Sequence, residues 1–196
     1  MRSIVINGQE AGLNTDGLSN MGEVIELLKS MIDPEHIITS ILLDGRELTD
    51  EDWNAHASRL STSILEVETG RPREFAKARL AIASDIVRSC FMGFREARKC
   101  FQDGDMQSGN QNLIKAVNTL QAFFQWYSSI LQLLPEEEQA PYRIEPHVER
   151  IGATCKRICQ QQLYQSWWAL GETIKNELEP ELDNLEDFCR NAAKCL

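Results

Sequence analysis

From Met106 to Leu134, apolar side chains recur at Met106, Leu113, Ala116 and Val117, Leu120, Phe123 and Phe124, Tyr127, Ile130 and Leu131, and Leu134. This three-then-four spacing, held for four heptads, is one face of a long helix. Gln107, Asn110, Gln111, Lys115, Asn118, Gln121 and Gln132 occupy the opposite face. A helix of this kind is not stable alone and has to lay its stripe against other helices. The pattern predicts a helical bundle in the second half of the chain.

The first seventy residues follow a different period. Ile4, Val5 and Ile6 read as a strand closed by the turn dipeptide Asn7-Gly8. A weaker strand is expected around Glu10 to Asn14. Asn20, with Glu23 three residues on, marks a helix start, and Val24, Leu27, Leu28 and Met31 are its expected buried face. The helix has to stop near Asp33-Pro34, because the residue before proline resists the helical region. Ile37 to Leu43 reads as a central strand, Asp44-Gly45 as a turn and Arg46-Glu47-Leu48 as a short edge strand. Thr49 to Trp53 suggests a capped single turn, and Ser63 to Thr69 a last strand with Leu65 and Val67 facing one way and Glu66 and Glu68 the other.

Two strands, a helix, a strand, a short strand and a final strand is the order of a β-grasp domain. Residues 37–70, with the strand Ile38–Leu43, the hairpin Asp44-Gly45-Arg46-Glu47-Leu48, the acidic turn before Trp53 and the terminal strand Ile64–Glu68, resemble the second half of ubiquitin-like proteins. The resemblance implies a binding module. Ubiquitin-type modifiers end in Gly-Gly, whereas Thr69-Gly70-Arg71-Pro72 runs on, so conjugation is not expected. Iron–sulfur β-grasp proteins use four cysteines, and residues 1–70 contain none.

Gly70-Arg71-Pro72-Arg73 is the expected linker. Beyond it, Phe75, Ile82, Ile86, Cys90, Phe94, Ala97 and Phe101 predict one long helix, with Gly93 allowing a close helix contact. Asp103-Gly104-Asp105 is short enough to make the next helix antiparallel. A third helix is expected from Glu145-Pro146, striped by Val148, Ile151, Cys155, Ile158, Cys159, Leu163, Ala169, Leu170 and Ile174. Glu179-Pro180 is expected to break it, with a turn back into a short last helix carrying Leu182, Leu185 and Phe188 inside preferred over a kinked continuation, because an unbroken rod of about 50 residues would be about 75 Å long and outrun its neighbours. Residues 71–99 carry eight basic and three acidic side chains, and residues 172–187 seven acidic and one basic, so the first and last helices are expected to be neighbours. The expected fold is α+β: a small β-grasp domain over residues 1–70, then an antiparallel up-down bundle of three long helices and one short helix over residues 71–196.

Charge narrows the partners. The net charge of −10 lies almost wholly in residues 1–70, with 4 Lys/Arg against 13 Asp/Glu, while residues 71–196 hold 16 against 17. Nucleic acid and anionic membranes both need a basic footprint, so neither is an expected partner; a protein with a basic patch is. A cytoplasmic protein is expected, since the start has no apolar run of signal-peptide length and no window approaches a membrane span, and the chain reads as bacterial-looking. The six cysteines then read as reduced thiols.

Candidate chemistry is sparse, and no cofactor or metal is expected. Cys155 and Cys159 share a helical face and, with Cys189 or Cys195, are the one metal-like set; every Cys, however, is expected at a core position, packing as a small hydrophobe. His36, His56 and His147 are isolated in sequence, with no local nucleophile or carboxylate. Trp167 and Trp168, adjacent on a helix, point about 100° apart and cannot both enter one core. With Tyr164, and Trp126 as a possible extension on the second helix, they are the expected partner-binding cluster. The expected function is non-enzymatic protein–protein interaction, as an adaptor or scaffold using the β-grasp surface and this aromatic patch, with a homodimer allowed. One alternative resembles the small, acidic, helical chaperones of secreted or flagellar subunits; such a chaperone implies a groove filled by a partner helix. A thiol- or metal-dependent enzyme using Cys155 and Cys159 is the other.

Overall fold

A computed structural model describes residues 3–13, 15, 17–56 and 62–195. The chain divides into two compact units, Met1–Phe75 and Ala76–Leu196.

The first unit is a mixed five-stranded sheet with helix α1, Met21–Met31. Strands β1 (Ser3–Ile6), β2 (Gln9–Ala11), β3 (Ile37–Leu43), β4 (Arg46–Glu47) and β5 (Ile64–Gly70) lie in the order β2-β1-β5-β3-β4. Strands β1 and β5 are parallel and the other pairs antiparallel, an arrangement compatible with a β-grasp-like topology. Strand β3 is an interior strand, as expected, paired on one side with β5 and on the other with the short edge strand β4, and β5 occupies the middle of the sheet. Apolar runs do not report pairing partners, and β3 meets β4 only at Leu42 and Leu43. Asn14, the expected end of the second strand, lies outside the described residues.

Both turn dipeptides take the left-handed conformations that their residue types tolerate: Asn7 at φ 50° and Gly8 at 77°, Asp44 at 51° and Gly45 at 77°. Each turn also pins β5. Asn7 accepts from the Thr69 N–H and donates to the Thr69 hydroxyl, both at 2.8 Å, and Asp44 accepts from the Ile64 N–H at 2.8 Å. Helix α1 starts at Asn20, whose side chain accepts from the Glu23 N–H at 3.0 Å; Glu23 reaches back to the Ser19 N–H. Its buried face is Met21, Val24, Ile25 and Leu28, packed with Ile4, Leu43, Leu65 and Val67. Met31, expected inside, is 57% exposed, because the stripe ends one turn before the helix does.

The capped turn is α2, Asp50–Asn54, with a complete capping box between Thr49 and Asp52. Asp52 also receives both terminal nitrogens of Arg46, at 2.6 and 2.9 Å. The Arg46 guanidinium, then the N–H and hydroxyl of Thr49, hold the Asp52 carboxyl well below its ordinary value of 3.8. A depressed acid contributes stability above its unfolded pKa and loses it as pH falls toward the folded one. The first unit is thus expected to hold a constant stability above about pH 5 and to weaken below it, and Asp52→Asn to flatten that acid limb. Urea midpoints against pH for the two proteins check this; parallel curves would contradict it.

Gly70 is still paired in β5, with Ile37, and helix α3 (Pro72–Leu80) begins two residues later, so the expected four-residue linker shrinks to Arg71. Proline suits the first helical position, and its presence starts the helix early.

Seven helices follow the sheet among the described residues: α3, α4 (Ala83–Gln102), α5 (Met106–Leu131), α6 (Glu136–Gln139), α7 (Glu145–Leu163), α8 (Trp167–Thr173) and α9 (Glu179–Ala193). The first long helix is interrupted at Ala81-Ile82. Past the break the buried stripe is Ala83, Val87, Cys90, Phe94, Ala97 and Phe101: the last four are the expected positions, while Ala83 and Val87 replace Ile82, which is exposed, and Ile86, which is half-buried. Helix α4 is central to the second unit, packing on α5 and on α9. Gly93 brings α4 close to α5, where an added Cβ would stand 3.3 Å from that of Ala116, as expected of it.

The return turn is not at Glu179-Pro180. It lies fifteen residues earlier, at Tyr164 to Ser166, where Gln165 takes φ 55°. From Trp167 the chain stays helical to Ala193, passing through a π-helical turn at Ile174–Leu178. A proline inside a regular helix loses a hydrogen bond and strikes the carbonyl four residues back; the wider π turn relieves both at Pro180. The expected charge pairing does hold. Arg98 of α4 donates to Glu179 of α9 at 2.7 Å and Arg88 contacts Glu186 at 3.5 Å, while Arg150 and Arg157 of α7 pair with Glu181 and Glu177. At the far end, the buried Tyr127 hydroxyl donates to the Tyr142 carbonyl at 2.7 Å, fixing the loop that leads into α7.

Candidate functional site

Two features of the helical unit place apolar side chains at its surface. The first is the corner between α7 and α8. Leu163 and Tyr164 are 82% exposed and Trp168 80%. Trp167 turns inward instead and stacks on Phe101, with centroids 5.4 Å apart and planes 12° from parallel. The adjacent tryptophans thus divide as the helix geometry requires. Trp126 does not join them. It packs on Phe123 and Tyr127 at 6.0 and 6.5 Å. The end of α7 lies level with Asn110, which accepts from Gln162 at 2.8 Å. Trp126 is sixteen residues further along α5, about 24 Å away.

The second feature is a groove between α5 and α7. Three cavities follow one another along it, of about 170, 540 and 390 Å³. The first two share Val117, Cys155 and Cys159 as lining, and the second and third share Phe124 and Val148. From Ile144 to Gln162 the groove is about 27 Å long. Ile114, Val117 and Phe124 line the α5 wall, and Val148, Gly152, Cys155 and Cys159 the α7 wall. Leu163, four residues after Cys159, carries the same α7 stripe to the exposed corner. An added Cβ on Gly152 would meet nothing within 4 Å. Unlike Gly93, this glycine makes no close helix contact among the described residues.

The cysteines therefore are not all in the core. Cys90 and Cys189 are buried, Cys100 and Cys155 half-buried, and Cys159 and Cys195 exposed. Periodicity put Cys155 and Cys159 on an apolar stripe correctly; it could not show that no helix among the described residues covers that stripe. Burial pushes the Cys155 thiol up to about 11, which keeps it protonated and a poor nucleophile at neutral pH. Among the described residues, no three His, Cys, Asp or Glu side chains gather as a metal site. Of the histidines, His147 packs on Phe188 and lies 3.1 Å from an Arg150 nitrogen; burial, then the Arg150 charge, lower its pKa.

In the first unit, the outward face of the sheet carries one cross-strand row of Glu10, Val5, Glu66, Leu42 and Glu47, opposite the face that holds Leu65 and Val67. The three carboxylates are exposed and the two apolar side chains half-buried. No helix among the described residues is long and apolar enough to cross a membrane. No family model matches this chain, and neither does any curated protein or any solved structure.

Proposed function

We propose that this chain is a non-enzymatic protein-binding protein, an adaptor or scaffold whose helical unit receives a helix of another protein in the α5–α7 groove. The observation that carries the reading is the groove itself: an apolar channel some five helical turns long, open to solvent and continued by Leu163 at the exposed corner. Helix-in-groove recognition uses a channel of this shape, with anchors spaced three and four residues apart. Tyr164 and Trp168 supply rigid aromatic area beside its end, of the residue types that dominate interface energetics. The sheet, read as a ubiquitin-like β-grasp that does not conjugate, offers its Glu10–Glu66–Glu47 face to a basic surface. The same groove also favours the narrower reading of a dedicated chaperone for one secreted or flagellar subunit, which one dominant partner, as against several, would distinguish.

The test is affinity capture from the source organism's lysate, with the wild type and an Ile114→Glu/Cys159→Glu variant as baits. Both positions are exposed, one on each wall, so the fold is expected to survive while the channel becomes charged. Proteins held by the wild type are expected to be lost from the variant, and Trp168→Ala to weaken them about tenfold or more. Identical captured sets from all three baits would refute the reading.

A further inference from the structure

We infer that the occupant of the α5–α7 groove is an amphipathic helix with a basic end, seated with that end at the mouth formed by Glu145 and Glu149. This rests on the protein-binding reading above and adds the partner's chemistry to it. The groove changes sign along its length. Glu145 and Glu149 line the cavity at the Leu131 end, both exposed, and neither enters an ion pair among the described residues. Exposed Glu136 and Glu137 of α6 follow α5 at that same end. Lys156 lines the middle cavity, seven residues from Glu149 and so about 10 Å along α7. The α5 rim opposite is neutral, with Asn118 and Gln121. Lysines or arginines on a partner gain at the mouth, and carboxylates there are repelled.

Shape points to a helix. Glycine in a helix interior is less favourable than alanine, and at Gly152 nothing among the described residues comes within 4 Å of where a Cβ would stand, so no packing within those residues calls for a glycine there. The open space over it admits the close approach of a second backbone. A groove of about 27 Å matches a helix of about eighteen residues.

The experiment uses the full chain and three labelled eighteen-residue helical peptides. They share one leucine stripe and carry Lys, Gln or Glu at the polar positions of one end, with Gln at all others. Anisotropy reads affinity at low salt, and peptide mapping after maleimide treatment reads protection of Cys159, with exposed Cys195 as the internal reference. The Lys peptide is expected to bind about tenfold tighter than its Gln twin, to protect Cys159, and to lose that advantage on a Glu145→Gln/Glu149→Gln variant or in high salt. Equal binding of Lys and Gln peptides with Cys159 protected by both would overturn the basic end and leave the groove reading standing. A Lys preference that persists in the variant places binding elsewhere on this acidic chain and overturns the inference. No protection by any peptide overturns both. Concentration-dependent dimerisation that shields Cys159 without peptide makes a second copy the occupant, and also overturns it.

Discussion

Glu179→Ala is expected to cost the helical unit about 3–5 kcal/mol, a loss read from the urea midpoint of unfolding. Arg98 and Glu179 are 12% and 9% exposed at their side chains and meet at 2.7 Å between α4 and α9. Removing the carboxylate leaves a guanidinium out of water with only the Gln102 side-chain oxygen, at 3.0 Å, as its remaining described partner. The penalty is that of the stranded charge, not the net worth of the pair. Arg98→Met/Glu179→Met, which removes both charges, is therefore expected to recover most of the loss. The α7 pairs Arg150–Glu181 and Arg157–Glu177 have arginines that are 50% exposed, and breaking either is expected to cost less than about 1 kcal/mol. A loss of that small size from Glu179→Ala would show that water reaches the α4–α9 seam.

The helix glycines give the second large effect, with opposite signs at two positions. A Cβ on Gly109 would stand 2.7 Å from two carbons of the Phe101 ring. That ring cannot swing aside freely, because it is buried and stacked on Trp167. Gly109→Val is expected to destabilise by about 1–3 kcal/mol and to shift the tryptophan emission as the stack is pushed apart. Gly152→Ala is expected to stabilise by roughly 0.5–1 kcal/mol, since its Cβ enters open space on a regular helix. Paired thermal melts decide both; a destabilised Gly152→Ala would mean that α7 has a neighbour over that residue.

Much of the architecture was legible because it depends on local chemistry. The Asn7-Gly8 and Asp44-Gly45 turns, the Asn20 and Thr49 caps, and the alternation of Leu65 and Val67 against Glu66 and Glu68 each involve residues a few positions apart. The opposed charges of residues 71–99 and 172–187 identified α4 and α9 as neighbours. Pro180 misled because proline's cost depends on whether the surrounding helix can widen, and the π turn that does so leaves no mark in composition. In the candidate site, Trp167 and Trp168 were separable by the angle between adjacent helix positions, and Tyr164 went with Trp168. Trp126 was attached to them wrongly, because distance along α5 is not apparent until the end of α7 is placed beside Asn110.

By itself the chain order of apolar and polar side chains determined that a sheet unit precedes a helical one, which faces of the helices are apolar, and where the short-range caps and turns fall. Tertiary structure alone decided that β5 lies in the middle of the sheet, that the chain turns at Gln165, and that Val148, Cys155 and Cys159 border an open channel instead of filling a core. Periodicity is a property of one segment, whereas burial belongs to two segments at once: an apolar stripe is core only if another element comes to cover it.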